Sequence, residues 1–191
     1  MKNKLIATLR EELYSKRSPS EVLNNITEAK LIEFLKQYPC NEEALWIGSY
    51  LADLFITEAR VRGDIKLHVP MALEYAKKIF EREQIPVTEQ QIIIELIATH
   101  HGGKQKYLES KLYKNADCYK FLLLKGQLDL FPIFYDGSEI SYQQAVEYIV
   151  SKIQEKYRLA DLNNEIKADA KRLYQESVAF WSSAGGIFTK P

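Results

Sequence analysis

Apolar residues recur every three to four positions through most of the chain, and no stretch shows the strict alternation of a half-buried strand. The pattern therefore predicts an all-α fold with about seven or eight helices, near 3–16, 19–37, 42–61, 67–84, 89–101, 106–125, 141–157 and 163–182. Start signals agree with several of these. Ser18, Pro19, Ser20 and Glu21 read as a cap, a first-turn proline and a capping-box Glu, and Thr88 with Gln91 and Ser141 with Gln144 repeat the box. Asn41 before Glu42 and Glu43 opens a further helix. The apolar stretch from Gln127 to Ser138 contains Pro132 and Gly137 and reads as the longest non-helical connection, folded back over the body as a lid. Ser182 to Gly186 reads as the break of the last helix, leaving residues 183–191 as a short tail.

Length and composition make this a single-core protein. The chain has 191 residues, 46% of them hydrophobic, so one compact bundle spanning 1–191 is expected, with helices over 141–182 packing on its earlier part. Lys and Arg number 26 against 26 Asp and Glu, which removes the global field that a nucleic-acid partner would need. Cys40 and Cys118 stand far apart and outside any CxxC pattern, so neither a disulfide framework nor a cysteine zinc site is expected. The opening residues mix acidic and basic side chains and do not resemble a signal sequence. The most apolar segment, Ala44 to Ile56, is too short to span a membrane. A cytoplasmic protein without a membrane role is the expectation, and oligomeric state is not encoded.

Candidate chemistry enters where polar residues interrupt apolar faces. Asp53 lies in ALWIGSYLADLFI, a segment apolar around most of a helix, where a carboxylate must be salt-bridged, metal-bound, protonated or on a narrow exposed strip. Asp117 shares a stripe with Tyr113, Phe121 and Leu124 and raises the same question. His68 lies one turn before Ala72, at the edge of the stripe Met71, Ala72, Tyr75, Ala76, Ile79 and Phe80. His100 and His101 finish the helix that carries Ile93 and Ile97. Neighbours on a helix diverge by about 100°, so both reach one metal only if the helix end relaxes or two metals are present. Taken singly, each residue has a plainer reading: a structural ion pair for the aspartates, a cap or satisfied core imidazole for the histidines. Taken together, two carboxylates and three imidazoles form the mixed oxygen and nitrogen set of metal sites in helical bundles. These are the only histidines in the chain.

The order GSYLAD, LHVPMALEYAKKIF, IIIELIATHHGG and LESKLYKNADCYKFL, over roughly residues 20 to 125, resembles the HD-domain superfamily of metal-dependent phosphohydrolases. The resemblance implies that Asp53 corresponds to the aspartate of the His-Asp doublet, His68 and His100 or His101 to later histidine ligands, and Asp117 to the closing aspartate. Ala52 stands where the doublet has histidine, and Ser18 to Lys36 holds no early histidine. An alternative alignment takes His68 as the earliest histidine and His100-His101 as an altered doublet. Either way the implied site uses Asp53, His68, His100, His101 and Asp117 for one divalent metal in preference to two, with Mn, Fe, Mg, Co, Ni and Zn undistinguished. Asp53, His101 and Asp117 would act in catalysis, and Lys104 and Lys106 would hold phosphate, although exposed lysines are common without a ligand. The implied function is hydrolysis of a nucleotide or other small phosphate ester. A catalytically inactive HD-fold module that binds a ligand or regulates is the alternative, supported by Ala52.

Overall fold

The computed structural model describes residues 2–16, 20–136 and 140–188. Among them are ten α-helices, one 3-10 turn and no strand, so the protein is all-α as its periodicity predicts. Its backbone groups into two compact units, Met1–Lys114 and Asn115–Pro191, where the sequence pattern reads as one.

The first unit holds α1 (Lys2–Ser15), α2 (Glu21–Leu35), α3 (Glu42–Ala52), α4 (Ile56–Val61), the 3-10 turn Ile65–Leu67, α5 (His68–Glu83), α6 (Val87–Thr99) and the start of α7 (Leu108–Leu122). Its core follows the helical period. Leu5, Leu9 and Leu13 form one stripe of α1, Ala44, Ile47 and Leu51 line α3, Ala72, Ala76, Ile79 and Phe80 line α5, and Ile93 and Ile97 line α6. Burying each large aliphatic side chain of this kind contributes about 1.5–3 kcal/mol before ordering entropy is subtracted. Gly48 decides how closely α3 and α6 approach: a Cβ built there would lie 3.0 Å from Leu96 Cδ1. Five residues on from Gly48 is Asp53, and four on from Leu96 is His100, so this contact places the ends of both helices together.

Local start signals operate in part as predicted. Asn41 caps α3, its side chain accepting from the Ala44 N–H at 3.0 Å. Ser20, rather than a residue before it, caps α2 and accepts from Leu23 N–H at 3.3 Å, while Ser18 and Pro19 lie outside the described residues. The box expected at Thr88 is not used. Its helix begins at Val87 after Pro86, because the proline φ of −57° already suits the helix entrance.

The second unit contains the rest of α7, α8 (Leu124–Asp136), α9 (Tyr142–Leu159) and α10 (Asn164–Phe188). The capping box of Ser141 and Gln144 is present at the start of α9. Two features depart from the sequence pattern here. The stretch after Gln127 is helical as α8, with Pro132 inside it, so no extended lid is formed; Gly137 and Ser138 lie outside the described residues. An interior proline costs a helix about 3 kcal/mol, and packing of the residues before it offsets that. Phe131 stacks on Trp181 at 4.9 Å and meets Tyr142 edge-on at 5.3 Å. Gln127 donates to Ser177 Oγ at 2.6 Å and accepts from Trp181 Nε1 at 2.7 Å, tying α8 to α10. The second departure is at the C-terminus. α10 continues through Gly185 and Gly186 to Phe188 instead of ending near residue 182, because a glycine weakens a helix without forbidding it. Among the described residues, no helix is long and apolar enough to cross a membrane.

Candidate metal centre

Three chain breaks create the site. α3 leaves helical geometry at Asp53, which has φ −106° and ψ 4°. Leu54 N–H then donates to Leu51 O at 3.2 Å, and Ile56 N–H to Asp53 O at 3.2 Å, before α4 begins. The helix expected over 42–61 is thus two helices, and its interruption leaves the carboxylate at a helix end. At the second break, α6 ends at Thr99, His100 caps it and His101 occupies the turn beyond. Gly102 at φ +126° and Gly103 at φ +113° turn the chain away in a conformation other residues rarely adopt. This is the relaxed helix end that two adjacent histidines require: their ring centroids lie 3.8 Å apart. The third break is the 3-10 turn, where Asp64 accepts from Lys66 N–H at 2.9 Å and delivers His68 as the first residue of α5.

Asp53, His68, His100 and His101 converge, each offering one donor atom, and these atoms all lie within 4.8 Å of one another. Asp53 Oδ1 is 3.4 Å from His100 Nε2 and 3.9 Å from His68 Nε2. His68 Nε2 is 3.4 Å from His100 Nε2 and 3.1 Å from His101 Nε2. Donors around a tetrahedral cation, with metal–donor distances of about 2.0–2.1 Å, lie about 3.3 Å apart, so these four separations bracket that spacing.

The far side of each buried ring strengthens the fit. His68 Nδ1 lies 2.5 Å from the Ile65 carbonyl and His100 Nδ1 lies 2.8 Å from the Ile97 carbonyl. A carbonyl oxygen only accepts, so each Nδ1–H donates to it, which leaves Nε2 as the nitrogen of each ring that can offer a lone pair to a cation. Imidazole ligands in metal sites are oriented by this same outer hydrogen bond. The donor set therefore fits a divalent transition metal.

Burial gives the site one open side. Asp53, His68 and His100 are buried, whereas His101 is exposed. His100 also faces Tyr113, with ring centroids 6.0 Å apart. The loop that follows is pinned: Glu95 accepts from the backbone N–H groups of Lys106 and Tyr107 at 2.9 and 2.8 Å, and Gln105 donates to Ser110 O at 3.1 Å. Lys104 and Lys106 stand exposed on this loop, the Lys106 ammonium 5.2 Å from the Tyr107 ring centre. Ala52 is fully buried and offers no donor.

Asp117 is not a member of this group. Within the second unit its carboxylate accepts from Lys156 Nζ at 2.7 Å and pairs with Lys120 Nζ at 2.9 Å. Burial of Lys156 works against its charge, and Asp117 more than offsets this, so its pKa is raised. A carboxylate held by two ammonium groups is a counterion, which accounts for its burial without a metal. Sequence reasoning misses Lys156, although its signal is present: it continues the α9 stripe Ala145, Val146, Ile149 and Ile153 at helical spacing. It also misses the carbonyls of Ile65 and Ile97, for which side-chain identity carries no signal.

Comparison of the chain with protein-family models, curated proteins and solved structures finds no match in any of the three.

Proposed function

We propose that this protein is a metal-dependent hydrolase of small phosphate esters, nucleotides included, working through a one-metal site of the reduced HD type that the sequence resembles. The observation that supports it is the convergence of Asp53 Oδ1 with the Nε2 atoms of His68 and His100, both rings tethered through Nδ1. Asp53, His68 and His100 would hold the metal. Three imidazoles beside one carboxylate favour Zn, Fe, Mn, Co or Ni over Mg, which prefers oxygen donors. A bound divalent cation supplies Lewis acidity, polarising a phosphoryl group and making a water more acidic.

The remaining residues supply substrate handling. Lys104 and Lys106 carry two positive charges on the loop after His101, suited to an incoming phosphate. In the hydrolysis a water oxygen bonds to phosphorus and gives up a proton as the ester P–O bond breaks, and the departing oxygen takes up a proton, a transfer that His101 on the solvent side would mediate. Asp117, held by its lysines, takes no part. Natively purified protein should carry one equivalent of transition metal by elemental analysis. A screen of nucleotides and simple phosphate esters with Mn, Co, Ni and Mg should then show turnover that Asp53→Ala abolishes. Metal-free protein that takes up no added metal would sink this reading.

Buried Ala52 favours one second reading, an inactive module of the same fold that binds a phosphorylated ligand. In that case nucleotides raise the melting temperature and the hydrolysis screen stays silent.

A further inference from the structure

The four donors of the candidate metal centre differ in how deeply each is buried. Asp53, His68 and His100 are 4%, 3% and 1% exposed, and both buried rings are tethered to backbone carbonyls. His101 is exposed and sits in the turn beyond α6, immediately before two glycines with positive φ. Its Nε2 nevertheless comes within 3.1 Å of His68 Nε2, on the open side of the site. Four protein donors complete a closed tetrahedral shell, the form of structural sites, whereas hydrolytic sites use three protein donors and leave a position open.

Resting on the proposed metal-site function, we infer that His101 is the exchangeable fourth ligand. Asp53, His68 and His100 form the permanent set. His101 closes the shell in the resting protein and is displaced by an anionic oxygen of the substrate phosphate. Three features make it the member that yields. It leaves into solvent, while each of the others would have to leave a buried position. Its backbone belongs to a turn, while His68 and His100 belong to helix ends. The loop it opens carries Lys104 and Lys106, whose charges favour a phosphate as the displacing group.

Cobalt(II) bound to the full-length chain reads the exchange directly, since visible absorption is intense for four-coordinate cobalt and weak for higher coordination. Wild-type protein should bind one cobalt with intense absorption. His101→Ala should still bind one, on the order of tenfold more weakly, with a shifted spectrum, because a water oxygen replaces the imidazole nitrogen. Inorganic phosphate should bring the two spectra to a common form, because the same ligand then fills the same position. His101→Gln repeats the measurement with the side-chain volume kept, and circular dichroism confirms that both variants are folded. Cobalt loss in His101→Ala as complete as in His68→Ala would overturn the exchange, making His101 a permanent ligand. So would a spectrum identical to wild type before phosphate, or a wild-type spectrum that phosphate leaves unchanged. A wild-type protein that binds no cobalt would remove the metal site itself, an outcome distinct from these.

Discussion

Asp53 and Asp117 present the same sequence signal, a carboxylate on an apolar helical face, and the structure resolves them in opposite ways. Asp117 is surrounded by opposite charge: Lys156 and Lys120 neutralise it within its own unit. Asp53 instead has imidazole nitrogens at 3.4 and 3.9 Å from its Oδ1. Ammonium groups have no lone pair to give a metal, so the first arrangement is electrostatically complete. Imidazoles have lone pairs, so the second arrangement is one that a cation would complete. A buried carboxylate therefore signals a site only when the neighbours that solvate it are themselves ligands.

The largest effect expected from breaking this contrast is on stability at Asp117. Asp117→Asn leaves two buried ammonium groups without their counterion and should destabilise the protein by about 3–5 kcal/mol, measured by urea denaturation. The folded variant should bind added metal as wild type does. Loss of metal without loss of stability would invert the roles assigned to the two carboxylates. At the other pole, His68→Ala or His100→Ala should weaken cobalt or zinc binding by more than about a hundredfold, read by equilibrium dialysis. At a metal concentration one hundred times the wild-type Kd, the corresponding loss of metal-induced stabilisation is about 2.3 kcal/mol or more.

The geometry that assembles the Asp53 group can be loosened without touching a donor. Gly48→Val forces a branched side chain against Leu96 and should cost about 1–3 kcal/mol by overpacking, together with a lowered metal affinity. An unchanged affinity would show that the α3–α6 approach does not control the site. The Asp117 pair has a signature in alkaline solution. Because the Lys156 pKa is raised above 10.5, the stability it contributes is fully present below that value and is lost as pH rises through the higher folded-state value. The stability difference between wild type and Lys156→Met should therefore shrink at high pH, whereas the difference between wild type and His100→Ala should not follow that trend. The smallest effect touches neither carboxylate: Ser141→Ala removes the capping box of α9, the helix that carries Lys156, and should cost about 1 kcal/mol by denaturant melts, with metal binding unchanged.

Much of the fold is legible along the chain, and the departures have physical causes. The stripe of α5 is readable because a helix repeats its buried face every three to four residues, and the Ser141 box because capping is local. The interruption at Asp53 is not readable, since the apolar pattern runs through it and neither glycine nor proline marks the turn, which backbone hydrogen bonds close. The helical state of Pro132 is the converse case: local chemistry predicts a break, and aromatic packing around Phe131 outweighs it.

By itself, then, the sequence determined an all-α chain, the helix faces that meet, and the short list of side chains costly enough to bury that they must find partners. Periodicity and desolvation are properties of residues, so they can be read from residues. Which partner each found was decided only in three dimensions. Whether a carboxylate meets a lone pair or an ammonium depends on distances of 3–4 Å between elements far apart in sequence, such as the 3.4 Å from Asp53 to His100. Whether an imidazole turns its lone pair inward depends on a backbone carbonyl behind it.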